Sequence, residues 1–288
     1  MYSQLRLMSH NIWNCDHNAP YWEQRGMDCS AQARVGGLLQ VYRELQPDII
    51  GCQEASALMT DLLKEGFQTE NINYTVIWGR FTPILYNAAK LELVDSAFGT
   101  YPETLPEYPG TFNDALSKAW NLGVFRVKES GKLFIFATTH LWWKMAPENA
   151  EGVDPRFVQP YSDTARQWQL ASLTQVVQRY RAQYNCPAFV VGDMNTGYNT
   201  KAIQTALSAG FRHAHDIATD YADECVGYHN CFPWILETTY SDAPFETSID
   251  HILVMGEEEG TVKRFQRYSP EYYIPISDHS PVYVDIEL

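Results

Sequence analysis

The sequence predicts an α/β fold in one domain over residues 1–288, and three observations carry that prediction. Short apolar runs, nearly continuous, read as strands covered on both faces. Apolar residues recur at helical spacing between them. Five of the runs end at or near polar, ionisable residues, which is where open α/β architectures assemble ligand sites.

Residues 5–12 read as a strand ending on His10-Asn11-Ile12. Val35, Leu38, Leu39, Tyr42 and Leu45 then mark one face of a helix over 31–45, with Pro47 as the stop just beyond. A short buried strand over 49–52 delivers Gln53-Glu54. Over 132–139 both parities are apolar (Leu133, Ile135, Ala137; Phe134, Phe136), and the run ends at His140. Leu170, Leu173, Val177, Tyr180 and Tyr184 form the inward stripe of a long helix over about 162–184. Residues 188–191 make a buried strand ending at Gly192-Asp193, and strands over 249–255 and 281–286 bring Asp250-His251 and Asp278-His279 to or near their ends. The stretches 101–119 and 214–246 are rich in breakers and read as loops or rims. No repeat, low-complexity linker or composition break divides the chain.

Composition narrows the function. With 45% hydrophobic and 14% aromatic residues the chain can pack a core, which excludes a disordered or fibrous protein. Lys plus Arg is 21 against 35 for Asp plus Glu, a net charge of −14, so the field repels polyanions and disfavours nucleic acid as a tightly bound partner. No run approaches the roughly 20 apolar residues of a membrane span. The first residues lack a basic segment followed by an apolar one, so the chain as written reads as cytoplasmic. The six cysteines include no C-x-x-C pair, and Cys52 and Cys186 flank apolar runs, which points to reduced core thiols.

The polar residues at strand ends are Asn11, Glu54, His140, Asp193, Asn195, Asp250, Asp278 and His279. Oxygen donors dominate and no thiolate is among them, which suits a hard cation such as Mg²⁺, Mn²⁺ or Ca²⁺. A carboxylate-held Mg²⁺ leaves positions for water and a phosphate oxygen. His251 alternates with Asp250 on its strand and faces the other side, as a core histidine.

The segments His10-Asn11-Ile12-Trp13-Asn14, 47–54 (PDIIGCQE), Thr139-His140-Leu141, Gly192-Asp193-Met194-Asn195, Ser248-Ile249-Asp250-His251-Ile252 and Ser277-Asp278-His279-Ser280-Pro281 resemble the successive motifs of the endonuclease/exonuclease/phosphatase superfamily, in the family's order. The resemblance implies a four-layer sandwich of two packed mixed β-sheets flanked by helices, with the site at one edge. It implies that Asn11, Glu54 and Asp278 surround the cation, Glu54 being the principal ligand. Asp193 and Asn195 would orient the attacking water and hold the phosphoryl group, while His279 would pair with Asp250. His140 would donate to a non-bridging or leaving oxygen. The general base is left open between Asp193 and His279.

The resulting expectation is a Mg²⁺-dependent phosphoesterase acting on a small molecule or lipid headgroup, with a nuclease as the alternative and a non-catalytic binding module as a third reading. The inositol-phosphatase branch fits less well, because its aromatic-Cys-Asp-Arg signature stands here as Ile276-Ser277-Asp278-His279. Arg166, in the first turn of the long helix, is a candidate support for the site or one half of a plain salt bridge. Trp142 is the candidate substrate contact, with the restriction that at most one of Trp142 and Trp143 faces the cleft. His213, His215, Cys225, His229 and Cys231 cluster without matching a zinc finger, and a Cys225–Cys231 disulfide requires export.

Overall fold

The structure, a computed structural model, describes residues 3–221, 248–268, 270–273 and 275–288. Cys225, His229 and Cys231 lie outside the described residues, so the zinc and disulfide readings find no test there.

The strands are β1 (Gln4–Asn11), β2 (Ile49–Gln53), β3 (Tyr74–Ile77), β4 (Ile84–Asn87), β5 (Leu91–Thr100), β6 (Ala119–Val127), β7 (Leu133–His140), β8 (Ala188–Asp193), β9 (Arg212–His213), β10 (Asp220–Tyr221), β11 (Asp250–Met255), β12 (Val262–Arg267) and β13 (Val282–Glu287). The helices are α1 (Pro20–Glu23), α2 (Ala31–Leu45), α3 (Ala57–Thr69), α4 (Ser162–Tyr184), α5 (Lys201–Ser208) and α6 (Ala214–Ile217). One mixed sheet runs β10-β12-β13-β1-β2-β4-β3 and the other β5-β6-β7-β8-β11-β9. Neither closes into a barrel.

Burial explains the layers. Residues of β2, β7, β8 and β11 are buried on both parities because each sheet is covered twice. Leu7, Ile49, Phe134, Phe136, Phe189, Val191, Ile252 and Val284 fill the space between the sheets. Leu38, Leu39, Tyr42, Met59 and Leu63 seal α2 and α3 on the first sheet, and Leu170, Leu173, Val177 and Ile203 seal α4 and α5 on the second. The expected sandwich is therefore present. The sequence reading left out α1, α3, α5, the strands from β3 to β6, β9 and β12, and it read as loop the start of 214–246, where the structure has α6 and β10.

Two helix starts are set locally. Ser30 caps α2 by accepting the Ala33 N–H, and Ser56 caps α3 by accepting the Met59 N–H. One glycine lets the sheets approach near the site: a Cβ at Gly51 would meet Val191 Cγ2 at 2.5 Å and Thr138 Cβ at 2.6 Å.

Candidate active site

Strand register assembles half of the site. β8 lies between β7, parallel to it, and β11, antiparallel, in a register that places His140 and Asp250 on either side of Asp193. The same register sets Gly192 against Thr139, where a Cβ would fall 2.1 Å from the Thr139 carbonyl oxygen. The first sheet supplies the other half, since β1 and β2 run parallel with Asn11 opposite Gln53, Glu54 follows directly, and 277–280 lead into β13. Glu54, Asn195 and Trp13 take up positive φ (58°, 50° and 59°), a conformation unusual for residues other than glycine and one that concentrates at functional sites.

Asp193 is the hub. Its Oδ2 accepts from Asn11 Nδ2 at 2.9 Å and its Oδ1 from the Asn195 N–H at 2.9 Å. His140 Nε2 stands 3.4 Å and His279 Nε2 3.7 Å from Oδ2. The other ring nitrogen of His279, Nδ1, is 2.8 Å from Asp250 Oδ2. Burial works against a charge on His279, yet Asp250 and Asp193 outweigh it and hold the imidazole well above its ordinary pKa. Burial, aided by Asp250 and Glu54, pushes the Asp193 carboxyl up, against His279 and Lys118.

Lys118 was not expected. Only 4% exposed, it brings Nζ to 2.7 Å from His140 Nε2. Burial pulls the ammonium down to about 8, although Glu54, Asp193 and Asp114 favour its charge. An ammonium can only donate, so His140 Nε2 accepts. Burial, with Lys118 and His279 adding to it, holds His140 neutral, its pKa well below the ordinary value. Asn113 sets this residue in place, its side chain accepting the Lys118 N–H and donating to the carbonyls of Lys118 and Tyr101.

Asn11 stands beside Glu54 as a donor. Its Nδ2 points at Asp193 and, at 3.4 Å, at Glu54 Oε1, while its Oδ1 accepts the Trp13 N–H. Flipping the amide would set Nδ2 against that N–H, so the network fixes the orientation. Glu54 Oε2 accepts the Asn14 N–H at 2.9 Å. Asp278 faces the same cleft, its Oδ1 buried without a hydrogen-bond partner among the described residues. Burial and the neighbouring Glu54 and Asp193 push its carboxyl up, against His279. Glu54, His140 and Asp193 present ligand atoms within 4.8 Å of one another, as do Asp193, Asp250 and His279. An orphaned buried carboxylate oxygen and an excess of carboxylates fit a hard cation.

Two candidates lie away from the reacting groups. Trp142 is 1% exposed and packs on Phe112, so the cleft aromatic is Trp143 instead; the chain leaves β7 at His140 and turns Trp142 into the core. Arg166 lies outside the cleft lining: it pairs with Asp163 and donates to the carbonyls of Trp142 and Lys144, at 3.0 and 2.7 Å, so it holds the loop after His140. His251, fully buried, bonds the Thr196 carbonyl at 2.7 Å and His213 at 2.9 Å.

The cleft encloses about 520 Å³ and is floored by Glu54, Lys118, His140, Asp193, Asp278 and His279. Phe81, Trp143, Phe157 and Ile249 add an apolar wall.

The sequence matches the Endonuclease/Exonuclease/phosphatase family over residues 8–279. Among solved structures, an endonuclease/exonuclease/phosphatase family protein from Bacteroides thetaiotaomicron is similar at TM-score 0.73 and 20% identity, covering 100% of this chain and 96% of that one. A mannosyl-6-phosphatase from Bacteroides thetaiotaomicron VPI-5482 is similar at 0.69 and 21%, covering 97% and 98%. D. rerio TDP2 complexed with a single-strand DNA product is similar at 0.64 and 15%, covering 99% of each chain. No curated protein matches the sequence. At these identities the structural likeness speaks for the fold.

Proposed function

Since the chain belongs to the endonuclease/exonuclease/phosphatase family, whose members hydrolyse phosphoester bonds, we propose that it is a divalent-metal-dependent phosphoesterase acting on a small-molecule or lipid-headgroup ester. The observation that carries this reading is Asp193 held between Asn11 and His279, with His279 backed by Asp250. Glu54 and Asp278 would hold the cation, which in this reading is Mg²⁺, while Asn11, expected as a third ligand, instead donates to Asp193 and Glu54 beside it. When bound, that ion supplies positive charge to the phosphoryl oxygens.

The chain's own groups divide the remaining work. His279, kept protonated by Asp250 and Asp193, donates to a phosphoryl oxygen. Asp193, its carboxyl raised toward neutrality, takes the proton of the attacking water, which assigns it the role of general base. Asn195 fixes Asp193 through its backbone N–H and Leu141 through its side-chain amide, at 2.9 and 3.1 Å. Lys118, steered by His140, donates to a second phosphoryl or leaving-group oxygen.

Three features favour a small substrate. The cavity volume falls within the range of small-molecule sites. Lys118 is the sole lysine or arginine in the cleft lining among the described residues. The net charge of −14 opposes a long phosphate track. A mannosyl-6-phosphatase among the structural neighbours agrees with this reading, whereas Trp143 and Phe157, able to stack on bases, keep a nuclease as the second. The test is hydrolysis with Mg²⁺ across sugar phosphates, lipid phosphodiesters, inositol phosphates and single- and double-stranded DNA. Turnover of a small ester with weak salt dependence is expected. Rapid, strongly salt-dependent cleavage of DNA alone would favour the second reading.

A further inference from the structure

We infer that Arg34 is a positioning residue, holding the two loops that carry Asn11 and Asp278 in place before any cation or phosphate binds; the inference rests on the phosphoesterase reading above. Arg34 lies on α2, 1% exposed. Its Nε donates to the Cys29 carbonyl at 2.9 Å. Nη1 donates to Ile12 and Ile276 at 2.7 and 2.8 Å, and Nη2 to Trp13 and Cys15 at 2.8 and 3.0 Å. A guanidinium has five N–H groups, and here each ends on a backbone carbonyl.

The segments it joins lead into the site. Ile12, Trp13 and Cys15 follow Asn11; the Trp13 N–H fixes Asn11 Oδ1, and the Asn14 N–H binds Glu54 Oε2. Ile276 opens the turn that presents Asp278 and His279, and Ser277 Oγ closes a second tie by donating to the Asn11 carbonyl at 2.8 Å. Trp13, at φ 59°, occupies a conformation that persists only where its surroundings over-determine it, and two of these hydrogen bonds grip its own N–H and C=O. Among the described residues Arg34 has no carboxylate partner, so its placement serves the carbonyls and no ion pair. Lysine cannot replace it: three donors on a tetrahedral ammonium do not reproduce a planar fork of five.

The test compares Arg34→Lys with Leu38→Ala, a core truncation on the same helix that removes none of these hydrogen bonds. Calorimetric titration with Mg²⁺ alone, without substrate, should show the dissociation constant raised about 10-fold or more in Arg34→Lys, the range seen when groups behind metal ligands are lost. Leu38→Ala should lower the melting temperature while leaving Mg²⁺ affinity within a factor of about 2. An affinity loss in Arg34→Lys no larger than in Leu38→Ala would overturn the inference while leaving the phosphoesterase reading intact. A wild-type chain that binds no divalent cation would overturn both. Should Arg34→Lys fail to fold, the wild type decides: the Arg34 Nε–H resonance of the metal-free protein should exchange slowly with solvent, and exchange as fast as that of a surface arginine would overturn the preformed clasp.

Discussion

Replacing Lys118 by arginine should remove the fall of the pH–rate profile near pH 8. The ammonium is buried against His140, and burial brings it down to about 8 from an ordinary 10.5. It is therefore charged below that point and neutral above it. If the charged form meets the phosphoryl group, kcat/KM is full near pH 7, and about a tenth of the protein remains active at pH 9, one unit above the midpoint. Arginine stays protonated throughout the range, so in Lys118→Arg the fall centred near pH 8 should vanish, any later fall belonging to His279, at whatever rate its different geometry permits. Lys118→Met removes the charge and should lower kcat/KM about 10²-fold at pH 7, the scale of losing one fixed donor to a transition-state oxygen. The assay is kcat/KM on the ester found by the substrate screen, from about pH 6 to 10 at constant free Mg²⁺. An alkaline limb at the same pH in wild type and Lys118→Arg would refute the assignment.

Three further outcomes are expected. Glu54→Gln should weaken Mg²⁺ binding by about an order of magnitude or more in a calorimetric titration; equal affinity would move the cation elsewhere. Asp193→Asn and His279→Ala should each reduce turnover by about 10² or more while the fold survives by circular dichroism; folded variants that retain turnover would remove both from the chemistry. The third is a linkage effect. Burial holds fully buried His10 neutral, its pKa pushed down to about 3, so below pH 6.5 the unfolded chain gains a proton that the native one refuses. The stabilisation is complete above 6.5 and declines as pH falls, by about 2 kcal/mol at pH 5. Urea unfolding of the metal-free protein should therefore lose about that much more between pH 7 and 5 in the wild type than in His10→Gln; parallel slopes would count against it.

Much of the floor was legible because strands announce their own ends. Apolar runs that stop abruptly at His140, Asp193 and Asp250 need only a register to become neighbours, and the registers of β7, β8 and β11 provide it. Lys118 was illegible for the opposite reason. It stands between a proline-rich loop and β6, whose Asn121 and Arg126 interrupt the apolar pattern, and a lysine there reads as solvated. Its burial comes from Asn113 folding the loop back and from His140 across the sheet, contacts separated by 5 and 22 residues. Alternation restricted the cleft to one of Trp142 and Trp143, but which one depends on the bend after His140, and that is set by Gln169 Oε1 accepting the Trp142 N–H from α4. The orientation of the Asn11 amide was equally out of reach, since only the Trp13 N–H decides it.

The cleft is built from two kinds of material. Its floor hangs on strand ends whose spacing is dictated by two sheets in contact, with Gly51 pressed on Thr138 and Val191 and Gly192 on Thr139. Its wall is made mostly by Phe81, Trp143 and Phe157 from connecting segments. Natural variation can therefore rework the wall freely while almost any insertion in the floor is lethal to the reaction. A protein engineer seeking a new leaving group should vary the wall positions Phe81, Trp143 and Phe157 and leave the strand termini alone. Descendants of one ancestral chain could in this way come to cleave unlike esters with an unchanged set of reacting atoms.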